Sequence, residues 1–343
     1  MHACKYVAGH SAYLFCLTMI TEIIKGGGIE RAAQIIKAGG VVAFPTETVY
    51  GLGANAFDER AVAEIYRAKG RPQDNPLICH IASVEEVAEV AAEVPDLFFS
   101  LAEKFMPGPL TVVLKKGNKI PYAVTAGMDS VAVRMPDNPT ARALIKACGC
   151  PLAAPSANAS KHVSPTTAMH VYDDLNGRIP LILDGGECRV GIESTVLSLV
   201  TPVPTILRPG AVTEEMLSEV LGEVKTHTGR IIAAAPAPGM KYKHYAPRCR
   251  AVLAQDVKDA LNLYRSAESE GLKPVFISAG RIPEFDGLNV INMGRDEEAA
   301  ARIYAALRDA EKAYDYIIVQ KLDGGGVEKS VMNRIFKATA NEE

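Results

Sequence analysis

The sequence lacks the short patterns that mark the most common nucleotide-binding and hydrolytic sites. Its 343 residues contain no GxxxxGK(S/T), no GxGxxG after a predicted strand, no GxSxG and no HExxH. A standard P-loop or Rossmann-type nucleotide site is therefore excluded. Any ligand site must be built from less common loops, which α/β proteins tend to place at the ends of strands.

Cysteine pairs and long apolar runs are also missing. The seven cysteines include no CxxC, and Cys148 and Cys150 lack the spacing of a structural zinc site. Such thiols are typical of a reducing compartment, so we expect a cytoplasmic protein. The apolar stretch at residues 13–24 is broken by Glu22 and is followed by no A-x-A cleavage pattern, so membrane insertion and export are not expected. A start at Met19 would leave the preceding residues as a loose arm.

Neither sign of charge is in large excess. The chain has 37 Lys and Arg residues against 40 Asp and Glu residues, which gives a formal net charge of −3. A protein that coats nucleic acid by neutralising phosphates is therefore not expected, and a cation that binds an anion must act locally.

The length and the pattern of elements predict two domains. A chain of 343 residues with 48% apolar residues is too long for one hydrophobic core. We expect a first domain at residues 25–228 and a second at residues 249–343, after an N-terminal extension of uncertain structure at residues 1–24. Three prolines and a glycine interrupt residues 236–247, so residues 229–248 are predicted to be a linker.

Short apolar runs and amphipathic runs alternate in both domains. In the first domain this is typical of an α/β or α+β fold on a twisted sheet, and in the second of a small doubly wound parallel sheet. The predicted strands cover residues 41–44, 76–81, 110–115, 130–135, 179–183, 194–199, 251–254, 274–278, 289–293 and 316–319. The predicted helices cover residues 29–37, 59–69, 84–92, 96–105, 139–147, 213–221, 257–269, 297–310 and 327–337.

Two predicted loops of the first domain carry unusual sets of polar residues. Residues 44–53 (FPTETVYGLG) offer hydroxyls and a carboxylate to a ligand, or form a capped turn that uses the two glycines. Residues 69–77 (KGRPQDNPL) bring Lys69, Arg71 and Asn75 together between prolines. A helix C-terminus favours such cations, but it does not explain the prolines or the amide, so anion binding is the better hypothesis. His80 on the next strand would, alone, more often be a core histidine.

Three further segments offer polar contacts. Arg134 near the end of an alternating strand is either a solvated residue or a bidentate fork for a carboxylate. Residues 151–160 (PLAAPSANAS) and Ser164 offer hydroxyl and amide groups beside small residues, as in a phosphate site or a simple Ser/Pro turn. Residues 239–247 (GMKYKHYAP) interleave cations with tyrosines, which suits RNA stacking, closure over a nucleotide, or a solvated linker.

Taken together, these motifs resemble the YrdC family. FPTETVYGLG, KGRPxxNPL with His80, SVAVRMP, PSANxS with SPTT, ESTV, LRPG and PGMKYKHYAP occur in the order of that family. The last motif is similar to the linker of its longer members, the two-domain threonylcarbamoyl-AMP synthases of the YrdC/YwlC type. The resemblance implies a YrdC-like twisted mixed sheet with flanking helices at residues 25–228. It also implies a smaller doubly wound, Rossmann-like α/β domain at residues 249–343.

The resemblance also implies a reaction, in which the amine of L-threonine adds to carbon dioxide from bicarbonate. The carbamate oxygen then attacks the α-phosphate of ATP, and pyrophosphate leaves. Fixed cations and Mg²⁺ held through the ATP phosphates suit the accumulating charge, with no protein nucleophile and no protein-bound metal. A linker that closes over the site would protect the labile carbamate.

Site residues follow position by position from the same resemblance. The catalytic cations would be Lys69 and Arg71. The threonine pocket would use Thr48, His80, Arg134, the backbone of Ala154, and Ser194. ATP would be held by Arg71, Asn75, Ser130, Ser156, Ser164, Arg208 and Tyr245.

The expected partners are the small-molecule substrates and the proteins that act next. The product would pass to tRNA threonylcarbamoyl transferase proteins, which modify an adenosine beside the anticodon of tRNAs reading codons that start with A. Direct contact of this chain with tRNA is left open. The alternatives are an RNA-binding module, which the acidic charge disfavours, and a carbamoyl transferase with another acceptor.

Overall fold

Two separate sheets organise the molecule. The computed structural model describes residues 19–227 and 245–340. A twelve-stranded mixed sheet lies in the first stretch, and a four-stranded parallel sheet lies in the second. The predicted extension as far as residue 18 and most of the predicted linker, residues 228–244, lie outside the described residues.

The first domain is a broad mixed sheet with helices on its faces. Its strands are β1 (Glu22–Lys25), β2 (Val42–Phe44), β3 (Gly51–Asn55), β4 (Ile78–His80), β5 (Ala91–Glu93), β6 (Leu110–Lys116), β7 (Ser130–Arg134), β8 (Leu152–Ala154), β9 (Leu181–Asp184), β10 (Thr195–Ser198), β11 (Thr205–Arg208) and β12 (Lys225–Thr226). Its helices are α1 (Ile29–Lys37), α2 (Glu59–Lys69), α3 (Val87–Val90), α4 (Asp96–Phe105), α5 (Tyr122–Thr125), α6 (Pro139–Cys148), α7 (Ala168–Leu175) and α8 (Glu214–Leu221). The strand order is β1-β9-β2-β3-β8-β4-β7-β6-β10-β11-β12, and β5 pairs with β6.

The register of the central strands brings distant segments together. β4 runs parallel to β7, with His80 opposite Arg134. On its other side β4 is antiparallel to β8, with Ile78 opposite Ala154. The ends of three strands that are far apart in the sequence therefore meet at the middle of the sheet.

Helix α2 ends beside these strands because its two caps fix its length. The Asp58 side chain accepts hydrogen bonds from the backbone N–H of Arg60 and Ala61, at 2.9 and 3.3 Å. At the other end Gly70 adopts a left-handed conformation with φ of 63°, which a glycine does without strain. The chain therefore turns sharply after Lys69 and carries residues 71–77 back to β4.

Residues 44–53 and 151–160 were predicted as loops, but they contribute the strands β3 and β8 to the sheet. β3 is antiparallel to both β2 and β8, although its sequence is GLGAN. Its glycines are explained by packing, since a Cβ at Gly53 would lie 2.7 Å from Cε1 of Phe44. Small residues therefore mark close packing here, and not only the turn that the sequence suggested.

The predicted helix at residues 84–92 is wrong at its last two residues, which belong to a strand. A 3-10 turn at Val84–Glu86 leads into the single turn of α3, and the chain then continues as β5. β5 pairs antiparallel with β6, with Glu93 opposite Lys115. The free edge of a neighbouring strand outweighs the local helical pattern at this position.

The second domain is doubly wound, as its alternating pattern predicted. Its strands are β13 (Arg250–Ala254), β14 (Pro274–Ser278), β15 (Val290–Asn292) and β16 (Tyr316–Gln320), and its helices are α9 (Val257–Ser269), α10 (Asp296–Ala313) and α11 (Gly326–Thr339). The strands are all parallel, in the order β13-β16-β14-β15. Phe276 and Ile318 pack on the α9 side, whereas Ile277 and Val319 pack on the α10 and α11 side. The α/β class expected for both domains is confirmed.

A buried carboxylate occupies the carboxyl edge of this second sheet. The side chain of Glu328 is 3% exposed and lies between the starts of α10 and α11. Its Oε2 accepts a hydrogen bond from the N–H of Gly324 at 2.9 Å, and its Oε1 accepts one from Asp296 at 3.3 Å. These backbone donors at helix starts are therefore satisfied from within the domain.

The two domains dock through a shared apolar core. Val49, Val163 and Ile192 of the first domain belong to the same buried cluster as Ile303 of α10 and Val331 of α11. Charged groups are buried at the same junction, where Arg308 pairs with Asp174 at 2.8 Å. No helix within residues 19–227 or 245–340 combines the length and apolar composition needed to cross a bilayer.

Candidate active site

One cavity, partly open to solvent, lies over the centre of the first sheet. Its wall includes ten of the residues predicted from the sequence, which are Thr48, Arg71, His80, Arg134, Ala154, Ser156, Ser164, Ser194, Arg208 and Tyr245. The predicted residues Lys69, Asn75 and Ser130 are not part of this wall.

At one end of the cavity, which we call the amino-acid end, Arg134 faces Thr48 and His80. The Arg134 guanidinium forms an ion pair with Glu47 at 2.7 Å, and both side chains are almost completely buried. Its Nε donates a hydrogen bond to the carbonyl of Gly108 at 3.3 Å. Arg134 is therefore held in place within the cavity wall and is not a solvated face residue.

The loop before β3 arranges its hydroxyls by hydrogen bonds. The Thr46 hydroxyl donates to the carbonyl of Val49 at 2.6 Å and lies 2.9 Å from the Thr48 hydroxyl oxygen. Because the proton of Thr46 is used, Thr48 is the donor in the second contact. The Thr48 oxygen then keeps its own acceptor capacity for a ligand.

His80 is a neutral imidazole in this structure. Burial, and then the neighbouring Arg134 charge, lower the pKa of His80 to about 3. Its Nδ1 lies 3.1 Å from the carbonyl of Ile78, and its ring packs edge-on to Phe44 at 5.9 Å. His80 can therefore offer a polar contact without adding charge.

Arg208 fixes the segment that precedes β10. Its Nε and Nη2 donate to the carbonyl of Ser194 at 3.1 and 2.9 Å, and Nη2 lies 3.2 Å from the Ser194 hydroxyl. That hydroxyl is also 2.7 Å from the hydroxyl of Thr111. Burial lowers the pKa of Arg208, but its ordinary pKa is so high that the side chain stays charged.

Lys69 lies behind the cavity wall rather than in it. Its Nζ donates to the carbonyls of Ser156 and Asn158 and lies 3.4 Å from the Asn158 side-chain oxygen. Burial, followed by the nearby Arg71 charge, lowers the pKa of Lys69, while three oxygens around the nitrogen favour its protonated form. The contacts show Lys69 supporting the Ser156 loop, and its predicted place beside phosphates stays a prediction.

Arg71 and Asn75 come from the proline-bracketed loop after α2. Nη2 of Arg71 donates to the carbonyl of Asn75 at 3.2 Å, and the Tyr66 hydroxyl donates to the same carbonyl at 3.2 Å. The buried side-chain amide of Asn75 has no hydrogen-bond partner among the described residues. The loop is thus tied down through its backbone, and the predicted ATP contact of Asn75 stays a prediction.

Ser130 lies at the opposite end of β7 from Arg134. The two residues are four positions apart in the strand, which corresponds to about 13 Å. Since alternate residues of a strand share a face, Ser130 and Arg134 lie on the same side of the sheet. It lines a neighbouring groove with Lys115 and Leu199. The structure does not bring Ser130 into the cavity wall, and its predicted ATP contact stays a prediction.

Two glutamates were not assigned as site residues, namely Glu47, which is buried against Arg134, and Glu193, which lines the cavity. Oε1 of Glu193 accepts a hydrogen bond from the Ser164 hydroxyl at 2.6 Å. Its Oε2 accepts from Tyr304 at 2.8 Å and from Arg334 at 3.1 Å. Burial raises the pKa of Glu193, but Arg334 and then Arg208 outweigh it and bring the pKa to about 2.

These contacts could not be predicted from the residues around Glu193, because Tyr304 and Arg334 lie 111 and 141 residues away in the sequence. The second domain therefore reaches the cavity through side chains of α10 and α11.

Tyr245 is the described part of the predicted linker that reaches the cavity. It is buried in the wall, and its ring stacks on Tyr304 with centroids 5.3 Å apart. Its φ of 71° is unusual for a residue with a side chain, and such strain is found where the surrounding contacts impose it. Residues 239–244 of the motif lie outside the described residues.

Comparisons with known proteins agree with this geometry. A model of the Sua5, YciO and YrdC proteins, described as telomere recombination, matches residues 34–210. A second, described as threonylcarbamoyl-AMP synthase, C-terminal domain, matches residues 212–340. Threonylcarbamoyl-AMP synthase of Pyrococcus abyssi is 44% identical over 93% of this chain and 96% of that protein. The Bacillus subtilis protein of the same name is 42% identical over 90% of this chain and 92% of its own length.

A solved structure is similar along the same length. The crystal structure of Pyrococcus abyssi Sua5 complexed with L-threonine has a TM-score of 0.87 and 42% sequence identity. The match covers 93% of this chain and 97% of that chain, and so includes both domains.

Proposed function

Because this chain belongs to the threonylcarbamoyl-AMP synthase family, as its motifs predicted, we propose that it makes threonylcarbamoyl-AMP from L-threonine, bicarbonate and ATP, with pyrophosphate as the second product. The observation that carries this proposal is that Arg71, Arg134 and Ser156 face one cavity. A carboxylate and a triphosphate can then be held side by side.

L-threonine would bind at the amino-acid end. Arg134 offers a guanidinium fork to its carboxylate, while the Thr48 hydroxyl and the neutral His80 ring offer contacts that add no charge. The related Pyrococcus abyssi structure is a complex with L-threonine, which supports this choice of amino acid.

ATP would lie along the face of the sheet from Arg71 and Ser156 towards Ser130. An apolar floor connects these points, formed by the buried side chains of Ile78, Val113, Ala132 and Val196. An apolar surface beside hydroxyl groups suits a base and a ribose, and the family resemblance adds the Asn75 amide as a hydrogen-bonding group.

The residues favour catalysis by position and charge. The threonine amine first adds to carbon dioxide from bicarbonate, and an oxygen of the resulting carbamate attacks the α-phosphate. Arg71 and Arg208 would stabilise negative charge that accumulates on the phosphates, and burial strengthens this effect. The ordered Ser156 and Ser164 hydroxyls would fix the phosphates or ribose so that the carbamate and the α-phosphorus stay aligned.

We propose that Mg²⁺ enters with ATP. The carboxylates nearest the cavity, Glu47 and Glu193, are each paired with an arginine, so the oxygen ligands of the ion would come from phosphates. Within residues 19–227 and 245–340, no three His, Cys, Asp or Glu side chains are grouped to hold a metal. When bound, the ion would offset phosphate charge.

The product would serve tRNA modification. Following the family resemblance, we propose that downstream transferase proteins move the threonylcarbamoyl group to an adenosine beside the anticodon of tRNAs that read codons starting with A. A mixed anhydride of a carbamate and a phosphate is reactive towards nucleophiles, so AMP is a suitable leaving group for that transfer.

The test is direct detection of the product. The chain is incubated with ATP, Mg²⁺, L-threonine and labelled bicarbonate, and label is expected in an AMP adduct that requires threonine. Omission of threonine or of the enzyme should leave no labelled adduct. Label that enters only when carbamoyl phosphate is supplied, or no adduct at all, would contradict the proposal.

Replacement of Arg134 by lysine tests the threonine assignment. Arg134→Lys keeps the charge beside Glu47 but loses the bidentate fork, so threonine binding should weaken by about 2 kcal/mol or more. Calorimetry measures this loss, with ATP affinity unchanged. Arg189→Lys is the matched control, because Arg189 is exposed and pairs with the exposed Asp137 at 2.6 Å, away from the cavity wall. Equal threonine affinity in the wild type and Arg134→Lys would remove Arg134 from the pocket.

A further inference from the structure

Two chain segments that carry site residues leave the first sheet side by side. β10 and β11 are antiparallel, and their ladder ends at the pair formed by Val196 and Arg208. Ser194 lies just before this end on one segment, and Gly210 lies just after it on the other. The two segments are in close contact, because a Cβ at Gly210 would lie 2.3 Å from the backbone nitrogen of Thr195. Since Ser194 and Arg208 both line the cavity, a shift between the segments would change the cavity wall.

Beyond the end of this ladder, backbone carbonyls of both segments accept hydrogen bonds from the second domain. Nη1 of Arg334 donates to the carbonyl of Pro209 at 2.5 Å, and Nη2 donates to the carbonyl of Glu193 at 3.2 Å. The Ser330 hydroxyl, about one turn earlier in α11, donates to the carbonyl of Gly210 at 2.9 Å. Polar backbone groups that are shielded from water need such donors. Helix α11 therefore connects the two segments where the sheet no longer does.

The Arg334 side chain is itself held in one position. It is fully buried, and its Nε donates to Oε2 of Glu193 at 3.1 Å. The Tyr304 hydroxyl donates to the same oxygen at 2.8 Å. A planar guanidinium can meet a carboxylate and two carbonyls at the same time, because its donors point in fixed directions. A lysine at this position would keep the charge beside Glu193 but could not reproduce this set of contacts.

We propose that Arg334 and Ser330 of α11 are positioning residues for the reaction. Neither side chain is part of the cavity wall, and they act by holding the segment that carries Arg208 against the segment that carries Ser194. This inference rests on the proposed function, in which Arg208 stabilises phosphate charge and Ser194 belongs to the threonine pocket. The second domain thus fixes the phosphates and the amino acid relative to each other through backbone geometry.

The experiment measures kcat for threonylcarbamoyl-AMP formation by the full chain at saturating ATP, L-threonine and bicarbonate. Arg334→Lys should lower kcat by about tenfold or more, because small misplacements of reacting groups have effects of this size. Ser330→Ala removes one donor of the same helix and should lower kcat by about threefold. Lys312→Gln is the control, because Lys312 of α10 is exposed and pairs with Asp173 of the first domain at 2.8 Å. Its kcat should equal that of the wild type.

A double-mutant cycle tests whether Arg334 acts through Arg208. Arg208→Gln removes the guanidinium that Arg334 is proposed to position. Adding Arg334→Lys to Arg208→Gln should therefore lower kcat by less than about threefold, whereas independent effects would multiply. Urea unfolding of each variant identifies conditions in which it is fully folded, so that a loss of stability alone does not change kcat.

The outcomes separate this inference from the proposed function. If the wild type forms no adduct, the proposed function fails, and the inference fails with it. If the wild type is active and folded Arg334→Lys has the same kcat, Arg334 serves stability alone, and the inference is overturned. An equal loss of kcat from Arg334→Lys with and without Arg208→Gln also overturns it. If Arg334→Lys does not fold, Ser330→Ala decides, and an unchanged kcat in that variant contradicts the inference.

Discussion

The ammonium group of Lys69 stabilises two residues that face the cavity. It is nearly completely buried, and it donates to backbone carbonyls of Ser156 and Asn158. The Ser156 hydroxyl in turn donates to the side-chain oxygen of Asn158 at 2.5 Å. One cation thus sets the shape of a loop whose backbone has little regular structure of its own.

Removal of this cation should loosen the loop. Lys69→Met leaves buried oxygens without a donor, so we expect the free energy of unfolding to fall by about 2 to 4 kcal/mol and ATP binding to weaken. Urea unfolding and calorimetry measure the two effects. Arg67→Gln on the same helix is the control, because Arg67 is 72% exposed and should contribute less than about 0.5 kcal/mol. A Lys69→Met variant of unchanged stability would contradict the role given to Lys69.

The motifs that resemble the YrdC family were enough to predict ten of the residues in the cavity wall. Arg71, Arg134 and Arg208 could be assigned because the resemblance places each in a motif. Glu47 and Glu193 were missed, although both stand inside recognised motifs. The reason is physical: each is defined by a partner far away in the sequence, and two partners of Glu193, Tyr304 and Arg334, lie in the other domain. Charge pairing across such distances leaves no pattern in the sequence near either residue.

At the scale of elements, the loop that contains Gly191 lies directly against α10. Gly191 has φ of 74°, and a Cβ there would lie 2.4 Å from the Cα of Ala301. In the same loop Gly186 has φ of 82° and no atom within 4 Å of such a Cβ. Both glycines therefore adopt a positive φ, but of the two only Gly191 also permits close approach between the domains.

Substitution of these glycines should separate strain from docking. Gly186→Ala should cost about 1 to 2 kcal/mol through its left-handed conformation alone. Gly191→Ala should cost clearly more, since the methyl group meets backbone atoms that cannot move aside. Thermal unfolding gives the comparison, and limited proteolysis between the domains reports on docking. Equal effects of the two substitutions would show that the contact with α10 can adjust.

Helices were predicted better than strands, since β1, β11 and β12 near the edges of the first sheet and β3 and β8 near its centre were all missed. The predicted bounds of α1, α4 and α9 match the structure, because caps and amphipathic spacing are local signals. β3 and β8 were predicted as loops, since glycine and alanine weaken the strand pattern. Their strand state is imposed by neighbours on both sides, which only the folded sheet supplies.

At the scale of the whole molecule, His162 joins the two domains through two carboxylates. Its Nδ1 lies 2.9 Å from Asp174 of α7, and its Nε2 lies 2.8 Å from Glu311 of α10. Both nitrogens can donate only when the ring is protonated. Arg308 and Arg248 also face Asp174, at 2.8 and 3.5 Å. Burial lowers the pKa of His162, but the hydrogen bonds to Asp174 and Glu311 outweigh it, so the pKa is raised overall.

This histidine makes stability depend on pH. Since the pKa is higher in the folded state, the stabilisation is fully present below about pH 6.5 and is lost as the pH rises through the raised value. We expect the free energy of unfolding of the wild type to fall more steeply as the pH rises above about 6.5 than that of His162→Gln. Urea unfolding across a pH series measures the difference. Parallel curves for the two proteins would show that His162 does not titrate between the domains.

The position of Glu328 limits what the second domain can do. Doubly wound sheets usually receive their ligands at the carboxyl ends of the strands, where helix starts attract anions. In this chain the buried Glu328 carboxylate already accepts hydrogen bonds from the backbone at those helix starts. A phosphate that bound there would have to displace this side chain. The second domain therefore keeps the architecture of a nucleotide-binding domain, but Glu328 occupies the usual ligand position. The domain's contact with the cavity wall passes instead through Tyr304 of α10 and Arg334 of α11, which both donate hydrogen bonds to Glu193.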